Sequence, residues 1–421
     1  MKRINIEVDS SCGTLGLPVE LLPPTFTPHV WEVDEYIAFT IIAIATSPPV
    51  HVGFSLADTW AHKRYLAALH AGSKLRLRRE WEDIDSHQKT ILADDFGVGF
   101  PLLYLQEKLE LIHFSPTGWW LKALERSLGT RIRLNKKKNG PPKLPDYICV
   151  DSCGYFHAIE NKGTQTSKKM LADQIKAGVA QVENLRAAAL PSSASAYFRS
   201  WMVGGIFIPQ YRSKSDATIV LADPDFSELL AVLDGEEAIE RAQEAVRLVS
   251  LCQQLASIGL RRLGSALFTG RADARDRAFL QENNGANDEV RFMGFERQGD
   301  SWTLSSEFRT FDFLARGTTR RERVFGLRYS IDAQVLSRLA RCIRPSGLVD
   351  RNELDSVLGE LAPLRRPDGA PGENFLLLRA FERDKQPQRW TLAEKEGRSV
   401  VETPFKIRYE TFLDRAQERL T

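Results

Sequence analysis

A chain of 421 residues, 43% hydrophobic and 27% charged, has the make-up of an ordinary globular protein of two or three domains and excludes a disordered or fibrous one. The net charge of +2 does not by itself announce a nucleic-acid partner. Five scattered cysteines make no disulfide framework, and no apolar run follows the basic N-terminus, so a cytoplasmic location is expected.

Residues 1–114 read as a mixed α/β N-terminal domain, broken by "LPPTF" and "SPPV". Its longest apolar run, "YIAFTIIAIA" at 36–45, is too short to span a bilayer, and no membrane partner is expected. Asp94 and Asp95 in "LADDFGVGF" stand beside two glycines that a turn accounts for. Residues 115–226 are more regular. "SPTGWWLKALERSLG" predicts a helix capped by Ser115, with Pro116 in its first turn and Gly129 at its end. "TRIRL" predicts a short strand, and a Lys/Gly/Pro loop follows. "DYICVD" and "YFHAIEN" alternate as two strands of a tight hairpin. Residues 167–190 predict a helix that buries Leu171, Ile175, Gly178, Val182 and Leu185. "WMVGGIFIP" and "ATIVLAD" read as covered strands. Residues 227–421 read as a helical and then mixed accessory region, with strands at "EVRFMGFE", "SWTLSSEFRTFDF" and "NFLLLRAFE".

The hairpin carries the chemistry. Ser152-Cys153-Gly154 suits a three-residue loop with Gly154 in the left-handed region. Paired residue numbers then sum to 306, so Asp146 lies across from Glu160, and directly opposed Cβ atoms are about 5 Å apart. Lys162 projects from the same face, over a floor of Ile148, Val150, Phe156 and Ala158. Two acids this close resist ionising unless a cation sits between them. Mg²⁺, with Mn²⁺ as a substitute, meets that need with one or two carboxylates, water and substrate phosphate. Lys162 can orient a nucleophile and offset charge on the phosphorus centre.

The charge distribution agrees. Between Lys122 and Lys176 there are twelve Lys/Arg against five Asp/Glu, a local +7 that leaves −5 for the rest of the chain. Lys136, Lys137, Lys138, Lys143, Lys168 and Lys169 are the candidate phosphate contacts, and a solvated "NKKKNGPPK" loop is the plainer account of that run. "RGTTRRER" at 316–323 is a weaker candidate.

Asp146, Glu160 and Lys162, in "PD…ENK" on adjacent strands between two helices, resemble the PD-(D/E)xK nuclease superfamily, and the α-β-β-β-α-β order from Ser115 resembles its restriction-endonuclease-like core, a mixed sheet flanked by helices. Glu160-Asn161-Lys162 is the only Glu-x-Lys in the chain. The resemblance implies a Mg²⁺-dependent endonuclease cutting DNA, less often RNA, with Asp146 and Glu160 as metal ligands. It also implies a role in bacterial restriction or anti-phage defence. Members often add a Gln or Lys on the following helix and an acid on the preceding one. Gln174 and Gln181 fit the first position, and Glu125, Asp94 and Asp95 are the acids available for the second. No G-x-x-x-x-G-K-[ST] is present, so a motor would be a separate ATPase, and a regulatory protein or a homodimer is the other partner to consider. Cys149 and Cys153 read as buried strand cysteines rather than cluster ligands, and His157 faces away from the acids. The competing reading is a non-catalytic nucleic-acid-binding or assembly module on the same fold.

Overall fold

A computed structural model of the protein describes residues 1–8, 28–50, 64–129, 131–132, 144–186, 198–222, 236–272, 296–313, 320–363, 390–395 and 398–415. Their contacts divide the chain into two compact units. One comprises residues 1–47, 52–253 and 363–387, and the other residues 48–51, 254–362 and 388–421. Among the described residues no helix is long and apolar enough to cross a membrane.

The first unit is a mixed α/β structure built on a seven-stranded mixed sheet. Its strands are β1 (Lys2–Val8), β2 (His29–Val33), β3 (Leu111–Pro116), β4 (Tyr147–Asp151), β5 (Phe156–Thr164), β6 (Phe198–Phe207) and β7 (Thr218–Ala222), in the order β2-β1-β7-β6-β5-β4-β3. β1 pairs with β7 and β5 with β6 in parallel, and the other neighbours are antiparallel. The segments read as 1–114 and 115–226 therefore share one sheet, joined through the β1–β7 and β3–β4 pairings.

Among the described residues, α1 (Glu35–Thr46), α2 (Ser86–Leu109), α3 (Thr117–Leu128) and α4 (Lys168–Arg186) flank this sheet. The apolar run at 36–45 lies in α1, capped by Asp34 and buried along most of its length. The glycine-rich stretch read as a turn is the middle of α2. Gly97 and Gly99 lie inside that helix because its backbone passes close to β5 and α1, where a Cβ would meet Gly163 N at 2.6 Å and Ile42 Cγ1 at 2.1 Å. Along β6, Gly204 faces Pro101 of α2 while Gly205 faces Leu171 of α4. Adjacent strand residues point to opposite faces, so α2 and α4 cover opposite sides of the sheet.

The helix at 115 starts later than expected. Ser115 and Pro116 end β3, where Ser115 pairs with Ile148, and Pro116 takes the N-cap position of α3 without a side-chain cap. Sheet pairing prevailed over local capping chemistry. Gly129 ends α3 in the left-handed conformation, as expected. Of "TRIRL" only residues 131–132 are described, and they form no strand. α4 begins at Lys168, with Ser167 Oγ accepting from Met170 N–H, and buries Leu171, Ile175, Gly178 and Val182.

The hairpin has the expected register. Tyr147 pairs with Ile159, Ile148 with Ala158, Cys149 with His157 and Val150 with Phe156. Asp151 N–H donates to Tyr155 O at 3.0 Å, and Gly154 has φ 88°. Asp151 Oδ1 accepts the N–H groups of Cys153 (2.8 Å) and Tyr155 (3.0 Å), which fixes the loop from inside. Replacing Gly154 by Val forces a β-branched residue into this region. A stability loss of about 2 kcal/mol is expected in a denaturant titration, and an unchanged midpoint would show that the loop tolerates other conformations.

A long helix, α5 (Glu236–Ser257), follows; Ala242 O accepts from Trp120 Nε1 (3.0 Å), and Gln243 donates to Gly154 O (2.7 Å). The second unit holds a six-stranded antiparallel sheet with α6 (Arg261–Thr269), α7 (Ala333–Arg341) and α8 (Arg351–Leu361). Its strands are β8 (Glu296–Gln298), β9 (Ser301–Phe313), β10 (Arg320–Asp332), β11 (Thr391–Lys395), β12 (Arg398–Glu402) and β13 (Ile407–Arg415), in the order β11-β12-β13-β10-β9-β8. β9 coincides with "SWTLSSEFRTFDF", whereas "NFLLLRAFE" and most of "EVRFMGFE" lie outside the described residues.

Candidate active site

The site is built at the open end of the β4–β5 hairpin. Asp146 stands one residue before β4, and its backbone carbonyl accepts Thr117 N–H, which ties it to the start of α3. Asp146 N–H donates to Glu160 Oε2 (3.0 Å), and Asn161 N–H donates to Asp146 Oδ2 (2.8 Å). The Glu160 carboxylate is thus held by the backbone of Asp146, and the Asp146 carboxylate by the backbone of Asn161. Lys162 donates to Glu160 Oε1, and Gln181 Nε2 reaches the same oxygen at 2.5 Å. Beneath them Ile148, Val150, Phe156 and Ala158 are fully buried.

α4 approaches closely because residue 178 is glycine. A Cβ there would lie 2.7 Å from Val203 Cγ1 and 3.2 Å from Glu160 Cγ. One turn on, Gln181 reaches the carboxylate. Gln174 does not: its Oε1 is buried without a hydrogen-bond partner and joins neither acid.

Burial governs the electrostatics. Glu160 is completely shielded from solvent, and this, reinforced by the charge of Asp146, pushes its pKa up to about 7 against the pull of Lys162. Burial also raises Asp146, opposed by the Asn161 N–H and Lys162 and assisted by the charge of Asp94. Asp94 lies at the exposed rim, one residue beyond the contact between Ala93 O and Gly163. Partial loss of water raises its carboxyl, and Lys162 lowers it. α2 therefore brings Asp94 into the field of the site, whereas Asp95 turns to Tyr65, which donates to it, and to Arg64. Glu125 lies elsewhere, accepting Ile132 N–H at 2.9 Å near the end of α3.

Among the candidate phosphate contacts, Lys136, Lys137, Lys138 and Lys143 lie outside the described residues. Lys168 pairs with Glu7 at 2.7 Å, and Lys169 is exposed. Within 316–323 only the backbone of 320–323, at the start of β10, is described. Cys149 is buried and unbonded to another cysteine. His157 is buried on the other face of the sheet, between Ser200 Oγ (2.7 Å) and Asp151 Oδ2 (3.2 Å).

Sequence reasoning missed two contributors. Asn161 acts through its backbone N–H, which no residue type announces. The Gly97–Gly163 crossing seats α2, and its only sequence signal is glycine at both partners, far apart in the chain.

Two hard oxygen donors opposed across one strand pair suit a cation that keeps most of its water. Among the described residues no group of three or more His, Cys, Asp or Glu is placed to hold a metal ion, and Asp146 and Glu160 stand as a pair. No protein-family model, curated protein or solved structure matches the chain.

Proposed function

We propose that the chain is a metal-dependent endonuclease with a restriction-endonuclease-like core, acting on DNA. The observation that carries this reading is the register that opposes Asp146 to Glu160, with Lys162 and Gln181 both on the Glu160 carboxylate. A structural sheet has no need of two raised, buried acids held face to face. Asp146 and Glu160 would hold Mg²⁺ or Mn²⁺, which supplies a more acidic water and charge neutralisation at the scissile phosphate. Lys162 would offset charge on the phosphate oxygens and orient the nucleophile, and Gln181 holds the Glu160 carboxylate in place. The resemblance extends the proposal to restriction or anti-phage defence.

A second reading, a non-catalytic binding or assembly module, draws on the saturation of Glu160. Both its oxygens already accept hydrogen bonds, from Lys162 and Gln181 on one side and Asp146 N–H on the other. Incubation with supercoiled plasmid and Mg²⁺ separates the two. Wild type is expected to nick and linearise the plasmid, EDTA to stop it, and Lys162→Ala to slow it by about 10²-fold or more. An intact plasmid under all conditions would favour the module, and full activity in Lys162→Ala would remove that residue's role.

A further inference from the structure

We infer that the outward face of α3 is a nucleic-acid track, along which the strand flanking the cut is held by Trp119, Lys122, Arg126 and Arg131. The inference rests on the nuclease reading for the direction of the strand, but the contact itself does not require cleavage. α3 is strongly amphipathic: Trp120, Leu121 and Leu124 are buried, while Lys122 and Arg126 are exposed. Trp119, Lys122 and Arg126, spaced i, i+3 and i+7, share one face. Lys122 Nζ lies 4.0 Å over the half-buried Trp119 ring.

Where the helix ends, Lys122, Glu125, Arg126, Gly129 and Arg131 line an open depression of about 380 Å³. Three cations face one acid there, and Glu125 Oε1 is committed to Ile132 N–H at 2.9 Å. A concave, positively charged site beside an aromatic ring suits a phosphate with a neighbouring base, as single strands are bound. The position fits as well. α3 starts with Thr117 N–H on Asp146 O and runs away from it. At 1.5 Å per residue, Lys122 is about 8 Å and Arg126 about 14 Å along the axis. At a rise of about 3.4 Å per nucleotide, this is roughly two to four nucleotides from the acids.

The test uses the full chain in EDTA, where no cleavage intervenes. Binding of a labelled 30-mer single strand and the matching duplex is titrated against salt for wild type, Trp119→Ala and a Lys122→Gln/Arg126→Gln/Arg131→Gln variant. Inorganic phosphate and polyglutamate serve as competitors, and melting curves verify the fold. The triple variant is expected to bind at least about tenfold more weakly and to lose two to three units of the log–log salt slope. Trp119→Ala should weaken single-strand binding with the slope kept. An unchanged affinity and slope in the triple variant overturns the track. So does displacement of DNA by polyglutamate at equal charge concentration, or binding of inorganic phosphate without DNA. Wild type that binds through these residues yet never cuts in Mg²⁺ would retire the nuclease reading and leave the track standing.

Discussion

Glu160→Gln is expected to abolish Mg²⁺-dependent cleavage, by more than about 10³-fold, and to raise the melting temperature of the metal-free protein at pH 8. The second effect follows from the site's electrostatics. Glu160 has an ordinary value of 4.5 that burial and Asp146 push up to about 7 in the folded chain. Between these values the folded state holds a proton that the unfolded state has released. Stability is therefore full below about pH 4.5 and falls as pH rises through about 7, by up to about 3 kcal/mol from this group.

Glutamine, like the protonated acid, carries no charge and abolishes that loss. It has one acceptor oxygen where Glu160 accepts on both, so the net gain is smaller by about 1 kcal/mol for the hydrogen bond given up. At about 2–4 °C per kcal/mol, a gain of several degrees at pH 8 is expected, with a flatter pH profile between 5 and 8. Mg²⁺ should restore stability to wild type at pH 8, less so at pH 5 where Glu160 is protonated, and should leave the variant unchanged. Scanning calorimetry at three pH values with and without Mg²⁺ reads all of this. Equal profiles for wild type and variant would remove Glu160 from any metal site, whatever the plasmid assay gives.

The parts of this site legible in the sequence are those set by local chemistry. A three-residue loop ending in glycine fixes the hairpin register, and the register alone opposes Asp146 to Glu160 and puts Lys162 beside them. Helix α4 was legible because Leu171, Ile175 and Val182 repeat at helical spacing, with a Gly at the point of closest approach. What stayed hidden depends on partners distant in the chain. β1 joins β7 in parallel across more than two hundred residues, and nothing in "KRINIEV" names that partner. Ser115 carries the side chain of a helix cap, yet its pairing with Ile148 keeps it in a strand. Gly97, Gly99 and Pro101 together spell a turn by local propensity, and tertiary packing kept them in a helix. Asp94 was therefore visible as an acid but not as a neighbour of Lys162.

That last contact yields the other large expected effect. Gly163→Ala should destabilise the chain by about 3 kcal/mol or more. A Cβ at residue 163 would lie 1.8 Å from Ala93 O and 2.7 Å from its carbonyl carbon, both backbone atoms that cannot rotate aside. Relief requires α2 to lift from β5 by more than about 1 Å, and α2 carries Leu92, Phe96, Phe100 and Leu103, all fully buried. Asp94 immediately follows the displaced residue, so the fraction that still folds should cleave more slowly as well as melt earlier. Asp94→Asn separates the two effects, since an exposed side chain can change without moving the helix. It should keep the wild-type denaturation midpoint and cut about tenfold more slowly or worse. Wild-type activity in Asp94→Asn would leave the helix a structural support and return the chemistry to Asp146, Glu160 and Lys162. A wild-type midpoint in Gly163→Ala would mean that α2 does not rest on β5 at this crossing, and Asp94 would lose its place at the site.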